Sequence, residues 1–105
     1  MAETFLYVTT TGRITGNPHT IEIWYVEHDG CVVFCAEGRY DSDTVKNIQQ
    51  DAHVSFHISE REDAPTPQAG IASIVTDASA ITELETKFTE KYNWNNGLFV
   101  QICTS

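Results

Sequence analysis

Apolar and polar residues alternate along the first part of the chain, and this alternation predicts β-strands. The first predicted strand is Phe5–Thr11, and the second is Pro18–Glu27. In the second strand Ile21, Ile23 and Tyr25 share one face, because successive side chains of a strand point to opposite sides.

A third predicted strand, Cys31–Ala36, is apolar at every position. It follows Asp29 and Gly30, a pair that provides the positive φ of a tight hairpin turn. A strand that is apolar on both faces has to be covered on both sides. We therefore expect a barrel interior against one face and a helix or a second subunit against the other.

The second half of the chain predicts three more strands and one loop. His53–Ile58 alternates cleanly, so His53 and His57 are expected on the solvent side. Charged residues and two prolines make Ser59–Gly70 the most loop-like segment. The last two predicted strands are Ile71–Thr76 and Leu98–Cys103.

Two segments have the spacing of helices instead. In Ser42–Asp51, Ser42 is a suitable N-cap, and Val45 and Ile48 form one apolar edge. In Asp77–Tyr92 the apolar residues fall at i, i+3, i+7 and i+11. This spacing predicts a stripe that faces the core, made of Ile81, Leu84, Phe88 and Tyr92.

The predicted order of elements is β-β-β-α-β-β-α-β. Consecutive hairpins with only two helices indicate an α+β protein with an antiparallel sheet. Six strands with alternating faces can close into a small barrel. The length of 105 residues suits a single domain, residues 1–105.

The net charge of the chain argues against two classes of binding partner. Fifteen acidic and six basic residues give a net charge of −9. Nucleic acids and anionic membrane surfaces bind clustered Lys and Arg, so neither is expected as a partner. We also expect no transmembrane helix and no signal peptide, since no apolar run has the required length or basic flank.

The three cysteines, Cys31, Cys35 and Cys103, are an odd number and do not suggest a disulfide framework. A free cysteine packs as a small hydrophobic side chain. We therefore expect buried free thiols, and with them a cytoplasmic location.

Common catalytic and metal motifs do not occur in the sequence. There is no GxGxxG after a strand, no GxxxxGK[ST] loop, no GxSxG elbow and no C-x-x-C pair. His53 and His57 would lie about 13 Å apart along a strand, too far to bind one metal ion. Three glutamates on the second helix are better interpreted as a solvated face than as a carboxylate pair for catalysis: Glu83, Glu85 and Glu90.

The positions of the basic residues suggest one binding site. Arg13, Arg39 and Lys46 lie in or beside the loops that flank the second and third strands. The start of the first helix, near Ser42, offers free backbone N–H groups and the positive end of a dipole. Together these groups could bind a phosphate. The alternative is that three surface cations simply lie in loops.

Two motifs resemble a known family. They are G-R-x-T-G-x-P-H-T-x-E-x-W, from Gly12 to Trp24, and the K-N-I pattern of the first helix. With "AEGRYDSD" and "IASIVTD", they make the chain, from about Tyr7 to Cys103, similar to the split β-barrel flavin and deazaflavin oxidoreductases. The branch it most resembles is that of the deazaflavin-dependent nitroreductases and quinone reductases.

The resemblance implies a six-stranded FMN-binding split barrel that forms a homodimer. It places the ring system of a deazaflavin (coenzyme F-420) or FMN along the second strand, with its phosphate at the turn, the loop after the third strand and the first helix. On the turn side it implies four cofactor-binding residues: Arg13, Thr15, Asn17 and His19. On the other side it implies five: Ala36, Glu37, Gly38, Ser42 and Lys46.

The resemblance leaves more than one function open. The first is an oxidoreductase that passes hydride from the cofactor to a quinone-like or nitroaromatic acceptor, with catalysis belonging to the cofactor and no catalytic side chain. The second is a non-catalytic flavin- or deazaflavin-binding or carrier protein, and haem or bilin binding is a third.

Overall fold

The structure is a computed structural model that describes residues 5–59 and 67–104. These residues form seven strands and two helices. The strands are β1 (Phe5–Thr11), β2 (Pro18–Ile23), β3 (Tyr25–His28), β4 (Cys31–Ala36), β5 (His53–Ser59), β6 (Gln68–Ile74) and β7 (Leu98–Thr104). The helices are α1 (Asp43–Gln50), which follows a single 3-10 turn at Arg39–Asp41, and α2 (Ala78–Tyr92).

All seven strands form one antiparallel sheet in the order β2-β1-β5-β6-β7-β4-β3. The two edge strands, β2 and β3, are consecutive in the chain and are joined through Trp24 alone. A sheet whose opposite edges are one residue apart has to curl, so the molecule is a half-barrel. The prediction of an α+β protein with an antiparallel sheet is confirmed, but the number of strands is seven rather than six.

The additional strand arises because the predicted strand Pro18–Glu27 breaks at Trp24. Tyr92, at the end of α2, stacks on the Trp24 ring with centroids 4.4 Å apart. Its hydroxyl also accepts a hydrogen bond from the Tyr25 N–H at 3.2 Å and donates one to the Tyr25 carbonyl at 3.0 Å. The chain is thereby redirected from one edge of the sheet to the other. Local alternation continues through the break and does not reveal it.

Helix α2 also protects the outer edge of β3. Lys87 Nζ donates to the Glu27 carbonyl at 2.8 Å, and Lys91 Nζ donates to the Tyr25 carbonyl at 3.0 Å. Exposed edge strands present unsatisfied backbone groups that invite pairing with other chains. Two lysines and Tyr92 satisfy several of these groups from within the chain.

The concave face of the sheet holds the main core. Leu6, Val8, Phe34, Val100 and Ile102 are almost fully buried there. Helix α1 closes this side with Val45 and Ile48, the apolar edge expected from the sequence. Ile21, Ile23 and Tyr25, which were predicted to share one face, all pack against this core.

Helix α2 covers the opposite face of β4 and β7. Leu84 and Phe88 are fully buried against Val33, Cys35 and Phe99. Ile81 and Tyr92 complete the predicted stripe as partly buried members. Strand β4 is therefore covered on both faces by its own chain, and its apolar character does not require a second subunit.

Strand β6 begins earlier than the sequence predicts. Gln68, Ala69 and Gly70 belong to the strand and pair with β5, although their composition and the nearby prolines favour a loop. A Cβ atom on Gly70 would lie 2.7 Å from Cγ2 of Ile102, so only glycine fits where β6 crosses the core. Residues 60–66 of the predicted loop Ser59–Gly70 lie outside the described residues.

The expectation of three free thiols is wrong. Antiparallel pairing of β4 with β7 brings Cys31 opposite Cys103, with Cα atoms 4.6 Å apart, and the two form a disulfide. Cys35 is free and buried. Disulfides persist mainly in oxidising environments, so the cysteines no longer support a cytoplasmic location. In the described part of the chain, neither helix is long and apolar enough to cross a membrane.

Candidate functional site

A tight turn between β1 and β2 forms one wall of a cleft. The Gly12 N–H donates to the Asn17 carbonyl, and the Gly16 N–H donates to the Gly12 carbonyl, both at 2.8 Å. Gly16 has a φ of 77°, a left-handed conformation that glycine adopts without strain. The Asn17 N–H also donates to the Thr15 hydroxyl at 3.3 Å. These bonds fix the turn and direct Arg13 toward α1.

Arg13 joins this turn to the first two turns of α1. Its guanidinium donates to the Asp43 carboxylate at 3.2 Å and to Asn47 Oδ1 at 3.0 Å. The backbone N–H of Arg13 donates to the same Asn47 oxygen at 3.2 Å. The Arg13 side chain remains 28% exposed. Arg13 therefore already has an anionic partner within the chain, the exposed carboxylate of Asp43.

Asn47 holds Arg13 in place by accepting two of its hydrogen bonds, and the sequence analysis did not identify Asn47 as a site residue. Its amide is buried, and its Nδ2 donates to the Thr10 hydroxyl at 3.1 Å, so the oxygen is left to accept from Arg13. Asp43 and Asn47 are four residues apart and therefore lie on one face of α1. The sequence contains that spacing, but only the packing of α1 against the turn places Arg13 opposite it.

The turn and α1 enclose a cleft of about 240 Å³. All four residues assigned to the turn side line it: Arg13, Thr15, Asn17 and His19. The α1 side of the cleft is lined by Asp43 and Asn47.

The remaining predicted residues lie around the end of β4 and the start of α1. Ser42 is the N-cap of α1, as expected, and its hydroxyl accepts from the Val45 N–H at 3.4 Å. Lys46 is partly buried one turn further along. Ala36 is buried at the end of β4, whereas Glu37 and Gly38 are exposed. Their role in cofactor binding stays a prediction.

Arg39, the third cation of the predicted phosphate site, points elsewhere. Its guanidinium donates to Asn96 Oδ1 at 3.2 Å, in the segment that precedes β7. The cleft between the turn and α1 is lined without it among the described residues.

A second and larger cavity, of about 520 Å³, lies where β2 gives way to β3. Two indoles, two carboxylates and a thiol contribute to its wall together with two apolar side chains: Trp24, Trp94, Glu22, Glu37, Cys35, Phe5 and Ile23. Burial raises the pKa of the Cys35 thiol to about 11, so the thiol is protonated and uncharged near neutral pH.

His57 is not solvent-facing, contrary to the expectation from alternation. It is 9% exposed and stacks on Tyr7 with ring centroids 4.9 Å apart. Its Nε2 has no hydrogen-bond partner among the described residues. His53, by contrast, is exposed as predicted and contacts Asp51 at 3.0 Å. The two histidines lie on the same face of β5, but that face is exposed to solvent at His53 and buried at His57.

Comparison with solved structures identifies the fold. A conserved hypothetical protein from Mycobacterium tuberculosis superposes with a TM-score of 0.75 and 23% identity, over 95% of this chain and 72% of that chain. An F420 reductase gives a TM-score of 0.69 with 15% identity, over 96% and 86%. The haem storage protein HutZ from Vibrio cholerae gives 0.70 with 14% identity, over 96% and 81%.

These neighbours share the split β-barrel fold that the sequence motifs predicted. At such low identity the likeness shows the fold alone, and the neighbours' functions differ. No protein-family model and no curated protein matches the sequence.

Proposed function

We propose that this protein binds a flavin-type cofactor, the deazaflavin coenzyme F-420 or FMN, and acts as an oxidoreductase on a small quinone-like or nitroaromatic acceptor. The observation that carries the proposal is the cleft between the fixed turn and α1, with the Arg13 guanidinium inside it. An F420 reductase among the structures of the same fold supports it. The alternative is a carrier that binds the cofactor without catalysis.

The chemistry of the cleft fits the phosphate end of such a cofactor. A guanidinium, the Thr15 hydroxyl and the start of α1 all favour an anion. The Asp43 carboxylate opposes one, so Arg13 has to exchange this partner for the phosphate.

Under this proposal the protein binds and orients, and the cofactor provides the redox chemistry. Hydride transfer is what a bound flavin or deazaflavin supplies. The residues assigned to its binding are Arg13, Thr15, Asn17 and His19 from the turn and Ala36, Glu37, Gly38, Ser42 and Lys46 from the opposite side.

The experiment is a titration of FMN and of coenzyme F-420 against charge variants. A charge-assisted hydrogen bond contributes roughly 1.5–3 kcal/mol, so Arg13→Ala and Lys46→Ala should each weaken binding about 10- to 150-fold. The double variant should lose less than the sum if both cations contact one phosphate. Asp43→Asn should strengthen binding, because it removes the carboxylate that competes for Arg13.

Lys91→Ala is the matched control, because Lys91 contacts Tyr25 on the other side of the molecule. It removes one positive charge without touching the cleft, and its affinity should equal that of the parent. Parent-like binding by the Arg13 and Lys46 variants would place the phosphate elsewhere.

Haem binding is a second candidate, favoured by the Nε2 of His57, which has no hydrogen-bond partner within residues 5–59 and 67–104, and by the likeness in fold to HutZ. Ligation of iron at this nitrogen requires the atoms that bury it to move. The visible spectrum after addition of each cofactor separates the candidates. A Soret band that disappears in His57→Ala would favour haem, whereas a flavin or deazaflavin band retained after gel filtration would favour the first proposal.

The proposal includes a homodimer, with the cofactor near the subunit interface. An obligate interface would bury on the order of 2,000 Å² or more. Support for it comes from the family resemblance alone, since α2 already covers the second apolar face of β4. Sedimentation of a monomer at micromolar concentration would contradict it.

A further inference from the structure

The cavity at the break between β2 and β3 has an aromatic corner. Trp24 and Trp94 meet edge to face, with centroids 6.3 Å apart and ring planes at 73°. Tyr92 stacks on Trp24 with ring planes 3° apart, so one face of this indole is covered and its orientation is fixed. Trp24 nevertheless remains 37% exposed. Two nearly perpendicular indoles thus line a space that is open to solvent.

The same cavity has an acidic wall. The Tyr7 hydroxyl donates to Glu22 Oε2 at 2.6 Å, a short bond to a carboxylate that fixes Glu22 in place. Glu37 provides a second, exposed carboxylate. Among the described residues, no lysine, arginine or histidine lines the cavity, and the Cys35 thiol adds no charge.

We propose that this cavity binds a planar organic cation. Aromatic ring faces attract cations through their quadrupole, and tryptophan does so most strongly. A flat ring fits against an indole by stacking, and the fixed carboxylate of Glu22 provides the countercharge. The volume of the cavity, about 520 Å³, lies within the range of small-molecule sites. This inference goes beyond the proposed function, since it requires neither Arg13 nor a flavin; the two proposals share Glu37, but Glu22 and the two indoles belong to this cavity alone.

Three bicyclic probes of nearly equal size test the charge preference by isothermal titration calorimetry: N-methylquinolinium, quinoline at pH 8 and naphthalene-2-sulfonate. A cation over an aromatic face gains roughly 0.5–2 kcal/mol, so N-methylquinolinium should bind about 2- to 30-fold more tightly than neutral quinoline. The sulfonate should bind most weakly. Equal affinities for the cation and the anion would overturn the proposal.

Neutral isosteres test the acidic wall. Glu22→Gln and Glu37→Gln should reduce the affinity for N-methylquinolinium and leave that for quinoline unchanged. Glu85→Gln is the matched control, because it removes one negative charge from an exposed position on α2 that does not line the cavity. A loss in Glu85→Gln equal to that in Glu22→Gln would mean that only the net charge matters, and the proposal would fail.

Tryptophan emission locates the bound cation. The chain has two tryptophans, and both line this cavity, so a ligand bound there should change their emission with the same midpoint as the calorimetry. Binding heat without a change in emission would place the ligand elsewhere.

A second copy of the chain is the competing occupant of the cavity. Emission that changes with protein concentration, together with loss of cation binding at high concentration, would show that a second copy occupies it instead. FMN and F-420 binding is measured in the Glu22→Gln variant, because Glu22 is not assigned to the flavin-type cofactor, so either proposal can fail alone.

Discussion

Cys35 shows how burial controls the chemistry of a single residue. Its sulfur lies between β4 and α2, and the loss of water around it disfavours the thiolate. With a pKa of about 11, about one thiol in a thousand is ionised at pH 8, against about one in ten at the ordinary value of 9.0. Although it borders a cavity, Cys35 is therefore a poor nucleophile.

We predict that iodoacetamide alkylates Cys35 at pH 8 about 100-fold more slowly in the folded protein than in urea, from ionisation alone. The rate should rise about tenfold per pH unit until the pH approaches 11. Because folding raises this pKa, the free energy of unfolding should also fall between about pH 9 and pH 11. Mass spectrometry of alkylated protein measures the rate.

Cys35→Ser is the control for that experiment. Cys31 and Cys103 are bonded to each other, so this variant should take up no label unless a reductant is present. Equal rates for the folded and the unfolded parent would show that Cys35 is not buried as described.

Residue types gave good predictions where their role is local, and poor ones where it depends on distant strands. Ser42 is the expected N-cap because capping needs only the next three residues. The partner of Cys31 lies 72 residues away and is set by the pairing of β4 with β7. His57 has the alternation of a solvent-facing residue, but its burial depends on what covers that face of the sheet, which periodicity does not contain.

At the scale of elements, the helices and most strand cores could be predicted from spacing. Ile81, Leu84, Phe88 and Tyr92 all pack into the apolar cluster between α2 and strands β4 and β7. A spacing of three and four residues places side chains on one side of a helix. The break at Trp24 could not, because it depends on Tyr92 binding the backbone of Tyr25 from 67 residues away. The turn residues of the candidate cleft followed from motif resemblance, whereas Asp43 and Asn47 emerged only from the packing of α1 against the turn.

Phe88→Ala should destabilise the protein by about 3–5 kcal/mol, the usual loss for a fully buried phenylalanine. Phe88 is at the centre of the α2 stripe, and its ring lies 5.5 Å from Phe99 and 5.8 Å from Tyr92 between centroids. Glu85→Ala, on the exposed side of the same helix, should change the free energy of unfolding by no more than about 0.5 kcal/mol. Urea unfolding followed by circular dichroism compares the two, and equal midpoints would mean that α2 does not pack through this face.

At the scale of the whole molecule, the curled sheet is held together across its two halves. Strands β2, β1, β5 and β6 precede β7 in the sheet order, and β4 and β3 follow it. The second group lies early in the chain but pairs with its last strand. The Cys31–Cys103 disulfide closes this long-range connection covalently, at the pairing of β4 with β7.

Reduction of this disulfide should therefore destabilise the whole fold. Cross-linking residues 72 apart removes conformational entropy from the unfolded chain, worth roughly 4 kcal/mol in the loop-closure estimate. We expect dithiothreitol to lower the urea midpoint of the parent and of Cys35→Ser by the same amount, because Cys35 takes no part in the bond. The double variant Cys31→Ser/Cys103→Ser should start from the lower midpoint and show no response to the reductant. An unchanged midpoint on complete reduction of the parent, verified by thiol counting, would show that pairing of β4 with β7 holds the two halves together without the covalent bond.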